Sequence, residues 1–318
     1  MKILIIRNSN AVAGVIEALL LIGLIAIILS LIQLYYVPDI MESRESDHMD
    51  QIANQYSYLK SVIEIQSTMG VINSDNPNPK STAYTSISSP ITLGNNPLPY
   101  FVTIGSTGSV NLIDEDDAKD YRINIQPAPA DFPSGIPLTS LEYTANNNYY
   151  LNGADLIYTL EGGGIILKQP DGESMRVYPA INTVNYSNEI EINWDIILFK
   201  GTSGKKSYSN GFGNPSEICY VRTNYTKHYE DTISLTSINN GFIHIYTDYT
   251  AAWNESLIQN DIGLLFEYYD NGYINVEVDK STTPNRVKIT PGSKNINLKL
   301  TIVEIGIQVG PGIKIDTT

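Results

Sequence analysis

The chain has 318 residues and carries 34 acidic against 20 basic side chains, for a formal net charge of −14. That balance excludes a phosphate-binding surface for nucleic acid, which needs a basic patch, and argues against docking on anionic lipid headgroups. The single cysteine, Cys219, excludes an internal disulfide and a thiolate metal site, so core burial must stabilise the fold.

Residues 1–10 form a short leader with Lys2 and Arg7. Residues 11–37 form an apolar run in which Glu17 and Gln33 are the strongly polar side chains. At ~1.5 Å rise per residue, a helix over 11–37 is long enough for a bilayer core of ~30 Å. The side after the run is acidic, with Asp39, Glu42, Glu45, Asp47 and Asp50 against Arg44. Positive charge before the run and negative charge after it predict a cytoplasmic N-terminus, with the rest of the chain outside. The run exceeds the h-region of a secretory signal, and Tyr35-Tyr36-Val37-Pro38-Asp39 makes a poor signal-peptidase site, so the helix is expected to be retained. A second apolar stretch of spanning length is absent from the sequence, which predicts a single pass through the cytoplasmic membrane.

Pro38 is expected to kink this helix or to start a new one. Residues 38–72 then read as an amphipathic stalk helix, with Met49, Ile52, Tyr56, Leu59 and Ile63 on one stripe. The stripe suits a cover for the following domain or packing against neighbouring copies. Gly70 and the Asn73-Ser-Asp-Asn-Pro-Asn-Pro segment end the helix.

Residues 82–318 read as an extracellular β-rich domain, with a possible sub-boundary at the polar loop 201–217. Charged residues are 17% of the chain while tyrosine occurs 22 times, a composition that suits weakly charged turns between aromatic and β-branched strands. Predicted strands include 100–104, 121–125, 156–160, 165–168, 175–178, 189–199, 242–246 and 296–309. Asp270-Asn-Gly is read as a hairpin turn between strands 264–269 and 273–278. A short helix is predicted around Thr250 to Gln259. The fold class is therefore α+β, mainly β: a long N-terminal helix followed by an antiparallel β-sandwich or jelly-roll-like domain.

Motifs for catalysis are absent: no H-E-x-x-H, G-x-S-x-G, P-loop or C-x-x-C accompanies His48, His228 and His244. Cys219, between Ile218 and Tyr220, suits a buried strand position. Gly162-Gly-Gly suits a bulge or tight strand turn. Asp114, Asp116 and Asp120 fall in an acidic stretch that is either a solvated turn or a Ca²⁺ candidate, although it lacks the central glycine and closing glutamate of an EF-hand loop. Asn185, Asn224 and Asn254 open N-x-S/T triplets and become glycosylation candidates if the domain is outside the cell. No cofactor and no enzymatic activity are expected.

The basic leader, the Gly14-Val-Ile-Glu17 element and the apolar helix resemble the class III signal of archaeal type IV pilin-like proteins. The chain departs from that pattern in having no basic-Gly pair directly before the run. The resemblance implies a prepilin-type peptidase that cuts the leader, a helix that survives, and Glu17 as an assembly contact that meets a neighbour's N-terminal amine. Tyr158-Thr-Leu-Glu-Gly-Gly-Gly-Ile-Ile-Leu-Lys-Gln and Phe242-Ile-His-Ile-Tyr-Thr-Asp-Tyr-Thr-Ala-Ala-Trp are similar to segments of archaeal membrane-anchored, pilin-like surface proteins, which implies no reaction. The expected function is a cell-surface structural protein anchored in lipid by residues 11–37, with self-assembly or other pilin-like subunits as partners. The alternative is a membrane-tethered glycan- or cell-wall-binding module, with Tyr149, Tyr150, Tyr268 and Tyr269 as stacking surfaces.

Overall fold

A computed structural model describes residues 9–74, 85–96, 98, 105–118, 120–203, 205–211, 217–259 and 262–311. The leader before Ser9 and the strand expected at 100–104 lie outside the described residues. Helix α1 (Ser9–Leu31) passes through a π-helical turn (Ile32–Tyr36) into helix α2 (Val37–Ser74) without a break. From Ala13 to Ser74 this is one helix of 62 residues, about 93 Å long at the usual rise. Pro38 does not start a separate helix. A proline in mid-helix cannot donate to the carbonyl four residues back and crowds it. Here the preceding turn is widened, and the Val37 N–H donates to the Ile32 carbonyl five residues back.

The strands among the described residues run, in chain order, β1 (Ile87–Thr92), β2 (Thr107–Ile113), β3 (Arg122–Gln126), β4 (Ile136–Pro137), β5 (Ser140–Asn146), β6 (Asp155–Glu161), β7 (Gly164–Gln169), β8 (Gly172–Val177), β9 (Ala180–Asn185), β10 (Glu189–Gly201), β11 (Tyr208–Asn210), β12 (Ile218–Leu235) and β13 (Phe242–Tyr246). Two helices follow, α3 (Thr250–Ile258) and α4 (Phe266–Asp270), and then β14 (Ile274–Asp279), β15 (Arg286–Pro291) and β16 (Asn295–Pro311). They form three sheets, ordered β1-β12-β16-β10-β9, β11-β2-β5-β6-β7-β8 and β14-β15-β13-β3-β4. The α+β, mainly β class expected from the patterning is what the chain adopts.

Two particulars differ from expectation. β10 and β16 pair in parallel, from Glu189 opposite Asn295 to Gly201 opposite Ile307, within an otherwise antiparallel set. Alternation of apolar residues sets which face of a strand is buried and carries no information on partner direction. Residues 266–270 form α4 instead of a hairpin strand, and β14 pairs with β15. The reason lies upstream: the Leu264 and Leu265 amides donate to the Ser256 and Leu257 carbonyls, which folds the chain back on α3. Leu265 and Tyr268 then enter the core at helical spacing.

The first sheet serves two hydrophobic cores on opposite faces. Val303, Ile305, Ile307 and Val309 of β16 join one core, with the second sheet and α2. Ile296, Leu298, Leu300 and Ile302 join the other, with the third sheet and α3. The change of parity along one strand is a change of face. β12 follows by a bulge between Tyr225 and Lys227, which shifts its register against Ile305 and Glu304. Before the bulge Cys219, Val221 and Tyr225 face the first core; after it Ile233 and Leu235 face the second. Segment 201–217 joins β10 to β12 within this shared sheet and contributes β11 to the second sheet.

The stripe read from the stalk is the lid of the first core. Met49, Ile52, Tyr56, Leu59 and Ile63 are all buried there. Tyr56 meets Tyr143 edge-on at 6.5 Å and lies at 6.1 Å from Tyr158. Gly70 is required by close approach, because a Cβ there would lie 2.1 Å from the Tyr225 ring. On the stripe, Leu59→Ala is expected to cost about 2–5 kcal/mol. On the outer face of the same helix, Ile65→Ala should stay within about 0.5 kcal/mol. Urea unfolding of the detergent-solubilised chain, followed by the emission of the buried Trp194 and Trp253, measures both.

Candidate functional site

The feature with the clearest physical demand is the exposed first half of the long helix. Successive helical residues point about 100° apart, so four in a row sample every face. Leu19, Leu20, Leu21 and Ile22 are 63%, 70%, 60% and 63% exposed. The exposed set continues through Ile25, Ile28 and Leu31 to Tyr35 and Tyr36. From Ala13 to Leu31 the rest of the chain therefore covers no face of the helix. Among the described residues it is the one helix long and apolar enough to cross a membrane. The Ser30 hydroxyl is satisfied within the helix by donating to the Ala26 carbonyl at 2.8 Å. Glu17 sits in this segment with its side chain exposed.

Burial begins abruptly at Val37 and Met41. One turn later the fully buried Glu45 carboxylate accepts backbone N–H bonds from Asn148, Tyr149 and Tyr150, the last two at 2.8 and 2.7 Å. Three consecutive amides converging on one carboxylate make an anion nest, supplied here by the loop between β5 and β6. His48 lies one turn further on, buried, with Nε2 2.9 Å from the Tyr143 hydroxyl. Burial lowers its pKa to about 4. Arg44 donates to the Asn96 carbonyl at 3.2 Å. The helix is thus locked to the β-domain by polar contacts where the apolar run ends, and by the apolar stripe beyond.

The other sequence candidates are scattered. Asp114, Asp116 and Asp120 lie on the turn after β2; Asp114 Oδ1 accepts the Asp116 amide at 3.1 Å, and Asp120 lies 3.9 Å from Arg122. Among the described residues no three His, Cys, Asp or Glu side chains converge as a metal requires. Asn185 is exposed at the end of β9 and its Oδ1 accepts from Lys294 Nζ at 2.6 Å. Asn224 lies in β12 just before the bulge, half-buried against Gly306. Asn254 is half-buried in α3 beside Trp253. Cys219 is fully buried in the first core, where burial raises its thiol pKa. Of the other two histidines, His228 Nδ1 meets the Tyr225 hydroxyl at 2.8 Å, and His244 stacks on Phe242 at 3.9 Å.

Sequence reasoning missed a buried acid cluster under α3. Glu161 closes β6, and its Oε1 accepts from Trp253 Nε1 at 2.8 Å and Thr247 Oγ1 at 2.9 Å. Next to it the Tyr249 hydroxyl donates to Glu142 at 2.8 Å and accepts from Thr159 Oγ1 at 3.0 Å. Burial raises the Glu161 pKa to about 8; the Trp253 and Thr247 bonds oppose this, while Glu142 and Asp248 add to it. Burial also raises Glu142, against the Tyr249 bond and Lys168. The signal was a glutamate ending an apolar strand directly before Gly162-Gly163. Gly162 has φ +55°, and a Cβ there would sit 3.1 Å from the Trp253 ring, so the turn brings the acid under the indole.

Two outcomes follow. Glu45→Ala leaves three backbone amides without their acceptor, at an expected cost of about 1–3 kcal/mol. Hydrogen exchange at residues 148–150 should accelerate in that variant. For Glu161 the native state holds its proton up to about pH 8, while an ordinary glutamate releases it near 4.5. Stability from this group is therefore complete below pH 4.5 and declines as pH rises to about 8. Glu161→Gln keeps an oxygen acceptor and cannot ionise. It should match the parent at pH 4.5 and exceed it at pH 8, by up to a few kcal/mol on the scale of ~1.4 kcal/mol per pKa unit. Denaturation at the two pH values measures the difference.

Comparison with known proteins gave no assignment: no family model, no curated protein and no solved structure matches this chain.

Proposed function

We propose that this chain is a non-enzymatic, membrane-anchored surface protein, in which the apolar helix is embedded in lipid and the β-rich region is held outside as a displayed domain. One observation carries the reading: within a single continuous helix, residues Ala13 to Leu31 expose hydrocarbon on every face, while residues from Val37 on bury one face in the domain. Water does not tolerate the first pattern over such a length, and a bilayer does. Tyr35 and Tyr36 stand at the end of the run, where aromatic side chains suit the headgroup level. Asp39 and Glu42 follow at the start of α2. The basic leader and acidic stalk support an N-terminus inside and a domain outside.

The pilin-like resemblance extends this to assembly. Glu17 lies within the apolar segment with its side chain exposed, and an exposed carboxylate in lipid is costly until it finds a partner. An N-terminal amine from a neighbouring copy would supply one.

Alkaline washing of cell membranes, protease treatment from outside, and recovery of sheared surface material test both levels. The full chain should stay with the washed membrane and lose its β-domain to external protease. Glu17→Ala should leave that behaviour intact and abolish recovery of sheared assemblies. Extraction by alkali would end the anchorage reading, and unchanged recovery of assemblies would end the role of Glu17.

A further inference from the structure

We infer that the acyl chains of the lipid leaflet on the β-domain's side fill an apolar groove between the outer end of the helix and Leu98, so that the domain meets the bilayer at a second point. This rests on the anchorage proposed above. The groove has a volume of about 510 Å³ and is lined by Leu31, Ile32, Tyr36, Val37, Ile40 and Leu98. Every lining side chain is aliphatic or aromatic. Apart from the Tyr36 hydroxyl they offer water no hydrogen-bonding partner, and a water site needs two to four.

The occupant follows from continuity. Leu31 and Tyr36 belong both to the groove and to the exposed apolar surface of the helix. From Ala13 to Leu31 the helix rises about 27 Å, close to the full thickness of a hydrocarbon core. With the helix in place, the groove therefore straddles the outer boundary of the acyl region, open to the acyl chains at Leu31 and reaching the level of Asp39 at Ile40. Lipid already bathes the adjoining turns, and a helix from a second copy would have to displace it. Leu98 belongs to the loop segment after β1, not to the helix, so lipid in the groove ties the β-domain itself to the membrane surface and fixes the tilt of the stalk.

Depth-dependent quenching tests this on the full chain in phosphatidylcholine vesicles containing lipid brominated near the headgroup or near the end of the acyl chain. The native Trp194 and Trp253 are 1% and 0% exposed inside the β-domain, so their emission is a constant background. Leu98→Trp should lose most of its added emission to bromine near the headgroup, and less to bromine near the chain end. Ile40→Trp on the facing wall should behave alike, which guards against a misfolded variant at position 98. Leu24→Trp, on the exposed apolar run and outside the groove, reports the anchorage alone. If Leu24→Trp is quenched and the two groove variants are not, the groove holds no lipid and this inference fails while the anchorage stands. A blue-shifted but unquenched emission from the groove variants means that protein, such as a second copy's helix, fills it, and overturns the inference. If none is quenched, the anchorage fails and the inference with it.

Discussion

The molecule depends on one helix that satisfies two different surroundings along its length. In its first half the side chains are apolar in all directions, and from Ala13 to Leu31 the remainder of the chain shields none of them. In its second half an apolar stripe closes a protein core and the opposite face is left to solvent. The transition takes a few residues. Pro38 would break the hydrogen-bond ladder there, and the π-helical turn before it absorbs the defect and keeps the rod continuous. Just after the transition, the Glu45 carboxylate ties the helix to three amides of the domain. Helix and domain are thereby one body from Val37 onward, and whatever holds the first half determines where the domain stands.

The domain in turn is organised by a sheet that is buried on different faces at its two ends. That arrangement asks two things of the long strands: a parity change in which residues are apolar, and a bulge wherever the neighbouring strand does not share the change. β16 meets the first demand by sequence alone, with Ile302 and Val303 both buried at the crossing point. β12 meets the second by its irregularity after Tyr225. Glu304, opposite the bulge, lies close to Lys200 and Lys227, so its largely buried charge is balanced by two cations on the neighbouring strands. The second core carries its polar atoms under α3, where Glu161, Trp253, Thr247, Tyr249 and Glu142 bond one another.

Much of this was legible in the residues themselves. The apolar run, the stalk stripe at Met49, Ile52, Tyr56, Leu59 and Ile63, the short helix around Trp253, and most strands with their Gly and Asn turns can be read from periodicity, because a buried face imposes its period on the sequence. The parallel pairing of β10 with β16 could not, since alternation is blind to direction. Residues 264–269 misled for a related reason: a short apolar and aromatic run suits a strand or a helix, and contact with α3 decided between them. The buried acids were illegible because a glutamate at a strand end usually faces water, and only the close approach of Trp253 over Gly162 encloses this one. Of the candidate residues, Glu17 and the sequon asparagines could be located by sequence but not grouped, and the structure leaves them far apart along the chain.

The place of β16 has a consequence for how the chain reaches this form. It is the latest of the described strands to be synthesised, yet it sits in the interior of its sheet, between β12 and β10, and supplies residues to both cores. Until it arrives, β10 and β12 have no common neighbour and neither core can close. Its contacts reach back more than a hundred residues to β10, so they are formed against a large loop-closure entropy. Native closure therefore waits on β16 instead of proceeding strand by strand.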